Sequence, residues 1–299
     1  MDNEEFSGIM DEPMARIEET ERSGAKPDEE TVRTRLQEIA VRAREAPGPD
    51  FNGFSPDEMG LLPHSPFSDT CPVRIRAMSD DDIGRMPLIR QMLLLMGMLE
   101  KKELRLTASG YLPTKTVAML SSAGICPETG GRALRETDAY DVRVARTVLE
   151  DRRLIKVRLG KISLTAKGKK GLHDRNVLLR EALQFLMSEF NVAWLQWCRD
   201  PRVGNTGRLY SLWLLHRFGS EWRPADFYVC EYGRAFPMLV ASSGYFGRVF
   251  GLLFRMLGLC ELRVSDELTK EGHKASVRKT ALLEKVFSFT DPSGEMQDP

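Results

Sequence analysis

The residues from Leu154 to Thr165 constrain this chain more than any others. Ile155, Val157 and Leu159 alternate with Lys156 and Arg158, which sends the apolar side chains to one side of an extended strand and the cations to the other. Gly160 and Lys161 then lead into Ile162, Ser163 and Leu164, and two residues with glycine first predict a type II′ hairpin turn. A lone hairpin is marginally stable in water, so its apolar side requires neighbouring helices. The preceding residues predict them. Pro87 to Leu99 is apolar on most sides, Leu104 to Thr107 alternates as a short strand, and Pro113 to Ala123 forms a second helix that Gly124 stops. Asp138 can cap a third helix that turns Val142, Val144, Ala145, Val148 and Leu149 inward.

Helix, short strand, helix, helix and hairpin is the order of the winged helix, a relative of the helix-turn-helix, and Pro87 to Gly168 resembles it. Winged-helix proteins often close the wing with a Leu-Thr-x-x-Gly stretch. Leu164, Thr165, Ala166, Lys167 and Gly168 match it, and Leu106, Thr107, Ala108, Ser109 and Gly110 form a near copy. The threonine ends a strand and can cap the turn that follows, while the glycine permits the reversal. The chain is also similar to bacterial proteins that combine winged-helix-like domains with such turns and have no established activity. For this fold the resemblance implies DNA binding, with the helix before the wing entering the major groove. Here that helix would offer Arg143, Arg146 and Thr147, but Asp141, Glu150 and Asp151 on the same helix would repel phosphate.

Residues 1–26 are acidic and poor in aromatics, which predicts a tail without a packed core. Residues 27–50 predict an amphipathic helix that starts at Pro27, with Val32, Leu36, Ile39, Ala40 and Ala43 at helical spacing, and a linker at 46–50. The winged-helix-like domain takes residues 51–172. In it Ser55, Pro56, Asp57 and Glu58 open a short helix ahead of Pro63, Val73 to Met78 reads as a brief strand, and Ser79 caps the helix that follows. Residues 173–299 are expected to repeat the plan loosely, with helices at Val177–Trp197, Arg208–Phe218, Pro224–Ala235 and Tyr245–Leu257. Their wing strands are expected at Cys260–Val264 and Lys279–Phe289, joined by a long loop. The predicted fold class is mainly α with small β wings, as tandem winged-helix-like domains plus an N-terminal helix.

Lys+Arg and Asp+Glu are equal at 43 each, but residues 1–50 hold 14 acids against 7 bases, so the remainder is mildly basic. Arg152 to Lys170 carries eight bases and no acid: Arg152, Arg153, Lys156, Arg158, Lys161, Lys167, Lys169 and Lys170. With Arg143 and Arg146 these are the candidate nucleic-acid-binding residues, and duplex DNA is the candidate partner. Cations on a wing bind backbone with a steep salt dependence and read little sequence. The alternative is a hairpin charged only for solubility.

A rival reading is a protein-protein interaction or assembly module of the same fold with no nucleic-acid binding, which self-associates or meets a partner through the apolar helix Tyr245–Leu257 and the N-terminal helix. The aromatic stretch 190–235 has Trp194 with Trp197 and Tyr210 with Trp213 at helical spacing, which predicts core rather than a base-stacking surface. Four isolated histidines, five isolated cysteines and the lack of a nucleophile motif or phosphate loop suggest no enzyme, no metal and no cofactor. The acidic start Met1–Glu5 is unlike a signal peptide, and no apolar run approaches membrane-spanning length. A cytoplasmic location is expected.

Overall fold

The computed structural model describes residues 29–125, 135–195, 200–239, 243–269 and 272–292. These are mainly helical, with small antiparallel sheets. They fall into two compact units, one of residues 29–64 with 291 and 292, the other within residues 65–290.

In the first unit, α1 (Glu29–Glu45) carries acids in its first turn and basic residues in its last, and ends before Pro47 as expected. A short 3-10 turn at Pro49–Phe51 follows, closed by Asn52 at a φ of 53°. Ser55 opens α2 (Pro56–His64) with a reciprocal capping box. The Ser55 amide donates to Glu58 Oε2 at 2.7 Å, and the Glu58 amide donates to Ser55 Oγ at 3.2 Å. Pro63 lies inside the last turn of α2 rather than beyond it.

In the second unit, β1 (Val73–Ile75) leads to α3 (Asp80–Arg85), where Ser79 Oγ accepts from the Asp82 amide as predicted. Then come α4 (Pro87–Lys101), β2 (Leu104–Arg105), α5 (Thr114–Ser121), α6 (Tyr140–Asp151) and the hairpin β3 (Ile155–Arg158) and β4 (Lys161–Leu164). The three strands form one antiparallel sheet in the order β2-β4-β3. Its apolar side rests on α4, which buries Leu88, Ile89, Met92, Leu95, Met96 and Leu99.

The cap of α6 differs from expectation. Asp138 bonds no helix amide; Asp141 takes the amides of Val142 and Ile125 instead. The hairpin turn differs as well. Arg158 pairs with Lys161, so the two loop residues are Leu159 and Gly160, at φ values of 49° and 69°. Positive φ at both positions is a type I′ turn, whose twist suits the flanking strands. The alternation therefore stops at Arg158. Leu159, read as a third inward residue, is 92% exposed, and Val157 is 46% exposed.

The two Leu-Thr-x-x-Gly stretches work differently. Thr165 caps α7 (Ala166–His173) by accepting from the Gly168 amide at 3.0 Å, and its hydroxyl faces the Arg153 and Leu154 carbonyls. Gly168 sits against the Leu154 carbonyl, where a Cβ would lie 2.1 Å from the oxygen. Gly110 instead has open space and a φ of +77°. It closes a loop in which the Thr107 hydroxyl accepts from the Tyr111 amide.

The long helix expected at Val177–Trp197 is broken. It comprises α8 (Arg175–Gln184), a π-helical turn at Phe185–Glu189 and a separate 3-10 turn at Val192–Trp194; Trp197 lies outside the described residues. Asn191 caps the 3-10 turn, while buried Arg208 donates to the carbonyls of Leu186 and Ser188 in the π-helical turn.

There follow α9 (Arg208–Phe218), β5 (Arg223–Pro224), α10 (Ala225–Ala235), α11 (Ser243–Phe246, continued as a π-helix over Gly247–Phe254), β6 (Cys260–Thr269) and β7 (Gly272–Lys279). The sheet order is β5-β7-β6. The order helix, two-residue strand, helix, helix, hairpin thus occurs twice, each time with the last hairpin strand central. The strand partner of β6 is Gly272–Lys279, not Lys279–Phe289. Residues after Lys279 form α12 (Ala281–Val286) and β8 (Phe287–Phe289), and β8 pairs with β1. The polar run His273 to Ser276 hides β7 from a hydrophobic pattern.

Candidate nucleic-acid interface

The cations of the first sheet are ordered by register. Arg105 pairs with Lys161, and Lys161 with Arg158, so three basic residues form one row across β2, β4 and β3. Lys156, opposite Ser163, lies in the next row of that face. Leu104, Ile162 and Val157 occupy the other side of the pleat, where Ile162 is fully buried. Strands about 4.8 Å apart make the triple row roughly 10 Å wide. Like charges directly opposite one another destabilise a sheet, and an anion laid across the row relieves that repulsion. Lys161 has Glu103 at 3.7 Å with both side chains mostly exposed, which is weak screening. No carboxylate among the described residues pairs with Arg105, Lys156 or Arg158. Arg105 is absent from the candidates legible in the sequence, because only strand pairing brings it beside Lys161.

The other candidates divide. Arg153 is exposed at a φ of 56°, and Lys169 and Lys170 are exposed on α7. Lys167, also on α7, pairs with Glu181 at 2.8 Å. Arg146 and Arg152 are paired with acids. The Arg146 side chain is 12% exposed and bonds Glu150 at 2.8 Å and the 5% exposed Glu136 at 3.0 Å. Glu136 also accepts the Leu112 amide, so this cluster ties α6 to the loop before α5. Arg152 bonds Glu189 and Asp151. Burial alone lowers its pKa, but the bonds to Glu189 and Asp151 prevail and raise it. Arg143 stacks over the Trp194 ring, 4.2 Å from its centre.

The three arginines at and after α6 are thus all engaged within the protein. Trp194 covers Arg143, and acids hold Arg146 and Arg152. The acids expected to repel phosphate from the surface of α6 are also engaged. Asp141 is 1% exposed and accepts from Gln91 Nε2 at 2.9 Å and from the amides of Ile125 and Val142, while Glu150 and Asp151 face their arginines. At Gly124, read as a helix stop, a Cβ would lie 2.0 Å from Gln91 Nε2 and 2.1 Å from Asp141 Oδ2, so a larger residue would displace the side chains of this cluster.

The apolar helix Tyr245–Leu257, expected to meet a partner, turns most of its large side chains into the core. Tyr245, Phe246, Val249, Phe250, Leu253, Phe254, Met256 and Leu257 are buried within the second unit. Tyr245 bonds Ser211, and its ring stacks on Tyr232. Tyr210 and Trp213 are core, as their spacing predicts, and Tyr228 and Tyr232 are buried as well, while Trp194, also expected in the core, is 45% exposed. Trp222, just before β5, is flanked by Arg263 of β6 at 4.0 Å and Arg278 of β7 at 4.9 Å. Arg278 is paired with Glu261, so this sheet is more balanced in charge than the first. Cys71 and Cys260 are buried, with burial pushing the Cys260 thiol up to about 12; Cys230 is exposed, and Cys126 and Cys198 lie outside the described residues. Among the described residues no group of His, Cys, Asp or Glu could hold a metal, and no helix is long and apolar enough to cross a membrane. No protein-family model matches the chain, and neither the curated proteins nor the solved structures contain a match to it.

Proposed function

We propose that residues 87–168 and 208–279 are winged-helix-like modules, and that the first binds the phosphate backbone of duplex nucleic acid without catalysis. The outer face of the β2-β4-β3 sheet makes the contact. The observation that carries this reading is the register row Arg105–Lys161–Arg158 with Lys156 beside it, unpaired with acids except for Glu103 near Lys161. The engaged arginines of α6 support backbone contact without base reading, since phosphate contacts position a protein and base-edge contacts specify sequence. The rival reading, an interaction module, loses Tyr245–Leu257, which is core.

The test is fluorescence anisotropy with two labelled duplexes of unrelated sequence at low salt. Similar affinities are expected for both, and Lys156→Glu, Arg158→Glu and Lys161→Glu combined should weaken binding sharply. A strong preference for one duplex refutes backbone-only contact, and unchanged binding by the triple variant refutes the sheet face.

A further inference from the structure

Leu159 is unusual in two independent ways. It is 92% exposed at the tip of the hairpin, and its φ of 49° lies in the left-handed region that a leucine rarely adopts. Asparagine or glycine would fit the first position of a type I′ turn better, and a polar residue would suit the exposure. The tip is also braced. The Leu106 amide donates to the Gly160 carbonyl at 2.8 Å, so the chain beyond β2 holds the turn in place. An apolar side chain kept in an unfavourable conformation on a fixed support is a pattern found at functional sites. Arg158 and Lys161 flank it in sequence, and Arg105 joins their row.

Resting on the nucleic-acid reading above, we propose that Leu159 is a wedge that enters between adjacent base pairs of a duplex while the cation row holds the flanking phosphates. Apolar side chains inserted at a base step partly unstack it, and flexible pyrimidine–purine steps yield most easily. The geometry favours a base step over a lipid bilayer. Arg158 precedes Leu159 directly and Lys161 follows after a single glycine, so entry beyond one side chain would strip these cations of water. A base step admits one side chain and leaves its neighbours on the backbone.

The experiment uses the full chain and a duplex with 2-aminopurine at a central TA step, whose fluorescence rises on unstacking. Wild type should raise it several-fold on binding. Leu159→Asn, which suits the turn and should fold at least as well, should bind about five- to ten-fold more weakly with an unchanged salt dependence and no fluorescence rise. Leu159→Gly, which also fits the turn, should behave as Leu159→Asn does. Wild-type binding without a rise, or an equal rise with Leu159→Asn, overturns the wedge but leaves the cation row standing. If wild type binds no duplex at low salt, both readings fall. Leu159-dependent binding to anionic phospholipid vesicles, with a silent 2-aminopurine signal, would overturn the wedge in favour of a membrane.

Discussion

Replacing the glycines of the two Leu-Thr-x-x-Gly stretches by alanine should separate two physical reasons for one motif. At Gly168 a Cβ would sit 2.1 Å from the Leu154 carbonyl oxygen and 2.7 Å from Leu164 Cδ1, where ordinary contacts begin at 3.4 Å. Either α7 or the Leu154 backbone must retreat by about 1 Å, and Leu154 O cannot move freely because it accepts from the Thr165 amide. Overpacking of this kind costs about 1–3 kcal/mol, against which alanine regains roughly 1 kcal/mol of helix propensity. With a backbone atom as the obstacle, the upper end applies, and Gly168→Ala should lose about 2 kcal/mol net. Gly110 has open space, so alanine there meets only the left-handed penalty of about 1–2 kcal/mol. Asparagine, which tolerates that region, should restore most of the loss at position 110 and none at 168. Urea denaturation midpoints at constant slope measure both series. A neutral Gly168→Ala, or rescue by asparagine at position 168 rather than 110, would contradict this packing of Gly168.

Other outcomes follow from the same contacts. Arg146→Ala leaves Glu136 buried without its cation and should cost about 3 kcal/mol, read by denaturation, while leaving the salt dependence of duplex binding unchanged; a changed slope would return Arg146 to the interface. Glu284 is half-exposed and accepts from Lys279 Nζ at 2.8 Å and His216 Nδ1 at 2.7 Å. Burial raises its pKa, but those two bonds outweigh it and hold the carboxyl below its ordinary 4.5. Its contribution is thus fully present above pH 4.5 and is lost as pH falls through the lower folded value. Glu284→Gln should lower the melting temperature at pH 7 by the equivalent of about 1 kcal/mol or less, with the gap closing below pH 4; a constant gap would contradict the ion pair.

Local patterns made much of the fold legible. The Ser55 and Ser79 caps, the buried helix α4 and the existence of the first hairpin follow from residues within a few positions of one another. What depended on pairing across the chain was hidden. The turn at Leu159–Gly160 is set by the Arg158–Lys161 register, which alternation alone cannot distinguish from a loop one residue later. Strand β7 is polar on one side and reads as loop until β6 and β5 flank it. The same holds for the site. Lys156, Arg158 and Lys161 are visible as a charged run, but Arg105 joins them only through the sheet. That Arg146 and Arg152 are neutralised depends on Glu136 and Glu189, and the cover on Arg143 depends on Trp194; all three come from other elements.

The most direct test of the backbone-binding account is the dependence of duplex affinity on salt concentration. Each neutralised phosphate contributes about 0.9 to the logarithmic slope, so the four cations of the face predict a slope of roughly −3 to −4. Charge reversal at Lys156, Arg158 and Lys161 should reduce it to about −1 or less. A wild-type slope near zero, or one that the triple reversal leaves unchanged, would contradict the assignment of this sheet to phosphate.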